Sequence, residues 1–359
     1  MNVTKLNRSG LNVSRLNASL LNAGDMGCMG SKGKETMEDR IMQSMVLWYD
    51  LAKQGATNES MAADPRLIDH SGNGHHATCY NFAWSGMSGI GGYAMDFTRL
   101  SIMSKENTQV SSTKIEIKSG YEFANGGVVF LNTNSTNIFD FPNYRVKVSG
   151  LNSNLIYRYI GEDGDKHDIF LTNGVHDLPA SHNSLYATGR TAIGFCFLTA
   201  SETDIVIEQL PLYSNALVSD GVDDYADVTG LPILTKEKGY TVVAKRKYLD
   251  TVSCIACKNK LNQLNGGFIF ELTAPTGQYA RSFGGISQIT IVSDDISYQT
   301  SKKYCEQKLV IGDSDDTDTL TLFLLNNLYC ISALYSLLIF DRDLTDEEIE
   351  WVKTNLMSE

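Results

Sequence analysis

No stretch of about 18 apolar residues, the length needed to cross a bilayer as a helix, occurs anywhere in the 359-residue chain. The opening Met1-Asn2-Val3-Thr4-Lys5-Leu6-Asn7 also lacks the long apolar core of a secretory signal, so neither membrane insertion nor export by the usual routes is expected. Basic charge is short: 30 Lys and Arg face 42 Asp and Glu, a net charge of −12. That balance argues against a general nucleic-acid binder, which needs a basic surface to displace counterions from phosphates. Catalytic signatures are missing as well. There is no Glu-x-Asp-x-Glu strand of the kind that sets two carboxylates on one side of a sugar, no Gly-x-Ser-x-Gly, no P-loop and no dinucleotide fingerprint. An enzyme is therefore not expected.

What is present describes a folded globular chain: 42% aliphatic and aromatic residues with 20% charged exclude a disordered polymer. The length points to more than one unit. The seven cysteines, an odd number scattered through apolar runs such as Gly194-Phe195-Cys196-Phe197-Leu198, suit buried, reduced thiols made in a cytosol. Cys254-Ile255-Ala256-Cys257 is a lone C-x-x-C in a strand-like alternation, without the second pair that zinc requires.

The N-terminus repeats with a period of five, placing Leu6, Leu11, Leu16 and Leu21 beside Asn7, Asn12 and Asn17. Such a period resembles pentapeptide-repeat coils, but so short a run cannot bury its own face. Residues 1–24 carry three positive charges and no negative one, leaving −15 for the remainder. Two readings stand open: an arm that orders on another protein, or a passive tail. Gly24, Gly27, Gly30 and Gly33 then read as a hinge. From Glu35 to Met45, the spacing of Met37, Ile41, Met42 and Met45 predicts one face of a short helix, either a neck joining copies or an element packed on its own domain. Residues 1–45 form the extended N-terminal arm of this scheme.

Beyond Val46 short apolar or alternating runs bounded by Gly, Asn and Asp predict strands and an all-β chain. Gly267–Glu271, Gln288–Val292, Leu320–Leu324 and Ala333–Phe340 are the clearest. The last dozen residues instead predict a helix, with Thr345 and Glu348 as a capping box and an apolar stripe of Ile349, Val352 and Leu356.

Three segments, in order, resemble the laminin G-like, concanavalin A-like lectin superfamily. They are Leu67-Ile68-Asp69-His70-Ser71-Gly72-Asn73-Gly74-His75-His76-Ala77-Thr78, then Ala216-Leu217-Val218-Ser219-Asp220-Gly221-Val222-Asp223-Asp224-Tyr225, then Phe340-Asp341-Arg342-Asp343-Leu344-Thr345-Asp346-Glu347-Glu348-Ile349. The resemblance implies a jelly-roll sandwich. Because the first two segments stand far apart, a smaller β-sandwich is expected between them. It has its own strands at Lys114–Lys118, Tyr144–Val148, Ile156–Ile160 and Asp204–Glu208. The expected division is 46–105 plus 213–359 for the split sandwich and 106–212 for the insert. Together with Trp48–Glu59 and the closing Glu350–Leu356, the chain is similar to a recurrent structural protein of bacteriophages and prophages of gut Bacteroidales, crAss-like phages included. That resemblance implies a head or tail fibre, a homo-oligomer, capsid or tail proteins as partners of residues 1–24, and host-cell or mucin glycans as partners of the sandwiches. It also implies a virion location after assembly in the bacterial cytoplasm, which reconciles cytosolic thiols with a protein that works outside the cell. A bacterial surface carbohydrate-binding module and a glycan depolymerase are the alternatives.

Several constellations have a chemical and a structural reading. Asp313, Asp315, Asp316 and Asp318 offer oxygens of the kind Ca²⁺ takes, yet lack the bidentate Glu and the spacing of an EF-hand; no cofactor is otherwise expected. Asp163-Gly164-Asp165-Lys166-His167-Asp168 reads as a hairpin turn. His70, His75 and His76 near Cys79 are metal-ligand types that serve equally as loop hydrogen-bonders. Trp84, with Tyr80 and Phe82 at alternate positions, can stack on a sugar or fill a core.

Overall fold

In the computed structural model of the chain, residues 35–119, 126–187, 189–197, 202–234, 239–249, 252–258, 268–273, 290–291, 296–300, 317–325 and 328–357 are described. The pentapeptide-like repeat with its Leu and Asn positions, the four hinge glycines, and Asp313, Asp315 and Asp316 lie outside them. The chain divides at Arg40/Ile41. Ahead of that point, Thr36 opens the helix Met37–Gln43 by exchanging hydrogen bonds with Asp39. Met45 is not helical but begins the strand Met45–Asp50, and Met42 is exposed. The expected four-residue face is therefore shorter: Ser44 ends the helix, its hydroxyl donating to the carbonyl of Ile41.

Beyond Ile41 the fold is an all-β sandwich of antiparallel sheets. One sheet is organised around the ten-residue strand Ile331–Phe340, paired along one edge with Thr241–Tyr248. Its other edge is shared end to end: Leu217–Asp220 pairs with Ile331 to Leu334, and Met45–Asp50 takes Ser336 to Phe340. Segments far apart in sequence thus complete one ladder. The facing sheet orders Phe268–Thr273, Val252–Lys258, Leu320–Leu322, Tyr225–Val228, Ala77–Tyr80 and Arg66–Leu67. Leu47, Tyr49, Leu67, Leu217, Val242, Ile255, Leu322 and Leu337 close the core between them, as the alternation of apolar residues requires. The predicted strand Leu320–Leu324 is broken at Phe323, whose φ of 62° turns its backbone left-handed and starts a separate hairpin, Leu324–Leu325 with Leu328–Tyr329.

Two further five-stranded sheets pack on a core of their own, with Phe97, Ile115, Val129, Tyr144, Val146, Tyr157, Phe195 and Ile207 inside. This second core begins earlier than expected. Met95, Phe97 and Leu100 already belong to it, and Ser101–Ile102 pairs with Gly126–Asn132. Gly91 and Gly92, with φ values of 87° and 59°, turn the chain just after the first-sheet strand Gly89–Ile90. The returning chain lies against the outgoing one: the amides of Leu212 and Tyr213 donate to the carbonyls of Gly92 and Gly91. Gln209, buried, clamps Met95 by accepting from its amide at 2.9 Å and donating to its carbonyl at 2.6 Å.

The C-terminal helix Asp346–Leu356 is capped by Thr345 and Glu348 and buries Ile349, Val352 and Leu356. Cys79, Cys196, Cys257 and Cys330 are buried thiols outside any disulfide, and burial raises the pKa of Cys79 and Cys196.

Candidate functional site

A groove of about 980 Å³ is lined by residues of the second β-unit. Its one wall is the turn joining Leu155–Ile160 to Lys166–Leu171. The other runs from Asp177 to His182, with Asn143 at the rim. The antiparallel register puts Tyr159 opposite His167, and their rings stack at 5.3 Å between centroids, 27° apart. Behind them Tyr157, fully buried, continues the stack at 6.0 Å from Tyr159. The outer rings are therefore carried on a ring fixed in the core.

His167 is held from its other side by Asp163, both carboxylate oxygens lying 3.2 Å from Nε2. The amide of Asp165 also donates to Asp163 at 2.9 Å, and these bonds hold the Asp163 carboxyl below its usual pKa. Gly161 leaves room for this pair. A Cβ there would stand 2.6 Å from the Asp163 oxygen and 2.9 Å from the His167 nitrogen. The opposite wall is braced from inside: the Ser181 hydroxyl accepts from the amide of Ile160 and donates to Asn183, whose amide group reaches the carbonyl of Phe139. Stacked rings edged by Glu162, Asp163, Asp177 and Asn143 suit a ligand with an apolar face and a rim of hydroxyls.

The predicted site residues scatter. Of the run from Asp163 to Asp168, Asp163 to Asp165 lie in the hairpin turn and Lys166 to Asp168 open the returning strand; Asp163 and His167 line the groove, while Asp168 makes a two-bonded pair with Arg158. The histidine turn is held together around Asp69, which accepts from the amides of Trp48, Ser71 and His75 and from the Ser71 hydroxyl. His76 accepts from the Asp69 amide and His70 lies edge-on to Trp48, so this turn carries hydrogen bonds and ring contacts. Asp318 stands in a turn beside Thr317 and Thr319. Tyr80 stacks on Tyr225, while Trp84 stacks on Phe82 at 5.1 Å and packs partly buried against the first core.

Sequence reasoning missed the groove, whose one local signal was Tyr157 and Tyr159 just ahead of an acidic turn. It also missed the proximity of Asp220, Asp223 and Asp224, whose oxygens lie within 4.8 Å of one another. Asp224 is fully buried, accepting from Ser88 and from the Asp220 amide. Burial pushes its pKa up to about 6, against those two hydrogen bonds. These partners account for Asp224 as a brace between the Ser85–Ser88 turn and the Asp220 loop.

No known protein family matches the sequence. No curated protein matches it. A solved structure from Parabacteroides distasonis, a protein provisionally described as secreted, aligns at 10% identity over 74% of this chain and 89% of that one, with a TM-score of 0.14. An overlap that slight carries no argument about fold or function.

Proposed function

We propose that this chain is a bacteriophage fibre or decoration protein that docks on the particle through residues 1–24 and presents its β-sandwiches for weak glycan binding. The observation that carries the binding part is the groove holding the Tyr159–His167 ring pair. Aromatic faces receive the C–H side of a sugar, and carboxylate and amide edges receive its hydroxyls. So open a groove gives low affinity per copy, which a homo-oligomer on one particle multiplies. The virion assignment is supported by the resemblance that the lectin-like segments, together with Trp48–Glu59 and Glu350–Leu356, bear to phage structural proteins, and by the basic N-terminal repeat. The protein works as a binder, without cofactor, nucleic acid or membrane.

The test is immunogold labelling of phage particles with an antibody against this chain, paired with a glycan array probed by the wild type and Tyr159→Ala. Decorated particles and a saccharide signal lost in the variant are expected. Label on bacterial envelopes with bare particles would favour a surface carbohydrate-binding module. Steady release of reducing ends from a capsular polysaccharide would replace binding by depolymerisation.

A further inference from the structure

Where the two β-units meet, a second cavity of about 420 Å³ is lined by residues of both: Asn58, Glu59 and Trp84 from the first, Tyr93 and Thr113 from the second, and Asn215 from the returning linker. Two of these hold a backbone conformation that side chains disfavour, Trp84 at φ 51° and Asn215 at φ 62°. For a residue as bulky as Trp this is a costly conformation that the surroundings must enforce. They do so through the turn that follows it. Ser85 and Ser88 exchange amide-to-carbonyl hydrogen bonds, and Gly89 sits so near that a Cβ would lie 2.9 Å from Trp84 Cα. Phe82 stacks beneath the indole. Beside Gly89, Asn58 holds both the amide and the carbonyl of Ile90, at 2.7 and 3.3 Å. The first unit's side of the cavity is thus held in shape by hydrogen bonds and ring contacts.

Its chemistry is that of a polyhydroxy ligand. Among the described residues, the Tyr93 hydroxyl and the Thr113 and Asn215 side chains make no hydrogen bond within the chain, so their donors and acceptors are available to a guest. Tyr93 is half-buried near Glu208 and Glu59, and burial and then those carboxylates raise its pKa; its hydroxyl is protonated at neutral pH, as an ordinary phenol is. The same carboxylates oppose an anion. The volume lies within the range of about 300–1,000 Å³ usual for small-ligand sites.

We propose that this junction cavity is a second binding site, separate from the groove, which takes a neutral mono- or disaccharide between the two β-units. The indole of Trp84 and the ring of Tyr93 contact its C–H faces, and Thr113 and Asn215 its hydroxyls.

The full chain is titrated with cellobiose, lactose, N,N′-diacetylchitobiose and digalacturonate, up to about 10 mM, where a millimolar Kd saturates. Saturation-transfer NMR and tryptophan emission are the readouts. At least one neutral dimer binds and shifts the emission. Tyr93→Ala weakens it about tenfold or more, Trp84→Phe abolishes the emission change, Tyr159→Ala leaves this binding intact, and digalacturonate does not bind. Asn215→Gly, which accepts the left-handed backbone without strain, removes the amide and weakens binding independently of any folding defect in the other variants. Failure of every neutral dimer on the wild type, wild-type affinity in both Tyr93→Ala and Asn215→Gly, or equal binding of digalacturonate overturns the proposal. Loss through Tyr159→Ala alone would leave the groove reading standing and remove this one.

Discussion

Arg342 and Glu348 form a two-bonded ion pair across the last turn of the fold, the guanidinium donating to the two carboxylate oxygens at 2.8 and 2.9 Å. Glu348 is 4% exposed, and it also accepts from the amide of Thr345 as half of the helix cap. One carboxylate therefore joins the end of the central strand to the start of the C-terminal helix. Removing the guanidinium takes two charge-assisted hydrogen bonds from a buried carboxylate. Arg342→Ala is expected to lower stability by about 3 kcal/mol, read as a shift in urea midpoint at unchanged slope. A loss below about 1 kcal/mol would mean that water replaces the guanidinium.

Asp69 is expected to be as sensitive. Its carboxylate accepts four hydrogen bonds from the histidine turn and the strand Met45–Asp50, so Asp69→Ala strands several buried donors at once. A loss of about 3 kcal/mol or more follows from hydrogen bonds to charged groups. Asn at this position keeps part of the set, and its midpoint should fall between the two.

Asp224 makes stability depend on pH with a sign opposite to that of most carboxylates. Its folded pKa, pushed up to about 6 from 3.8, means the folded state binds the proton more tightly than the unfolded one. Its contribution is most favourable once both states are protonated and falls as pH rises from about 4 to about 6. Relative to Asp224→Asn, the wild type should gain on the order of 1–3 kcal/mol between pH 7 and pH 4.5. Equal pH dependence in the two proteins would show that the carboxyl is solvated in the native state.

Gly161→Ala separates the groove from the fold. The added Cβ collides with Asp163 and His167, both near the surface, so the pair must part while the cores stay closed. The unfolding midpoint should move by less than about 1 kcal/mol. The His167 ring resonances and any saccharide affinity of the groove should both change. A variant that binds as well as wild type would detach the Asp163–His167 pair from recognition.

The elements that could be read from the sequence are those whose partners lie close along the chain. The capping box of Thr345 and Glu348 is a three-residue relationship, and the stripe of Ile349, Val352 and Leu356 is a one-turn periodicity. The turn at Asp163 to Asp165 is a hairpin connection. Each is written locally, so the residue types at those spacings state it. Where the second core begins was less legible. The second core starts among Met95, Phe97 and Leu100, and only the left-handed bend at Gly91-Gly92 marks the change. As plain sequence, that pair is one glycine cluster among many.

Sequence alone determined the all-β character, the acidic balance and the closing helix, because hydrophobic alternation and caps depend on neighbours a few residues apart. Tertiary structure alone decided that Met45–Asp50 and Leu217–Asp220 share one edge of Ile331–Phe340. It alone set Tyr159 against His167 in a groove walled by Asp177 to His182, and held Trp84 left-handed beside Tyr93 and Asn215. These arrangements join segments whose proximity is set by strand register and by the packing of two cores, and no local pattern of residue types encodes either.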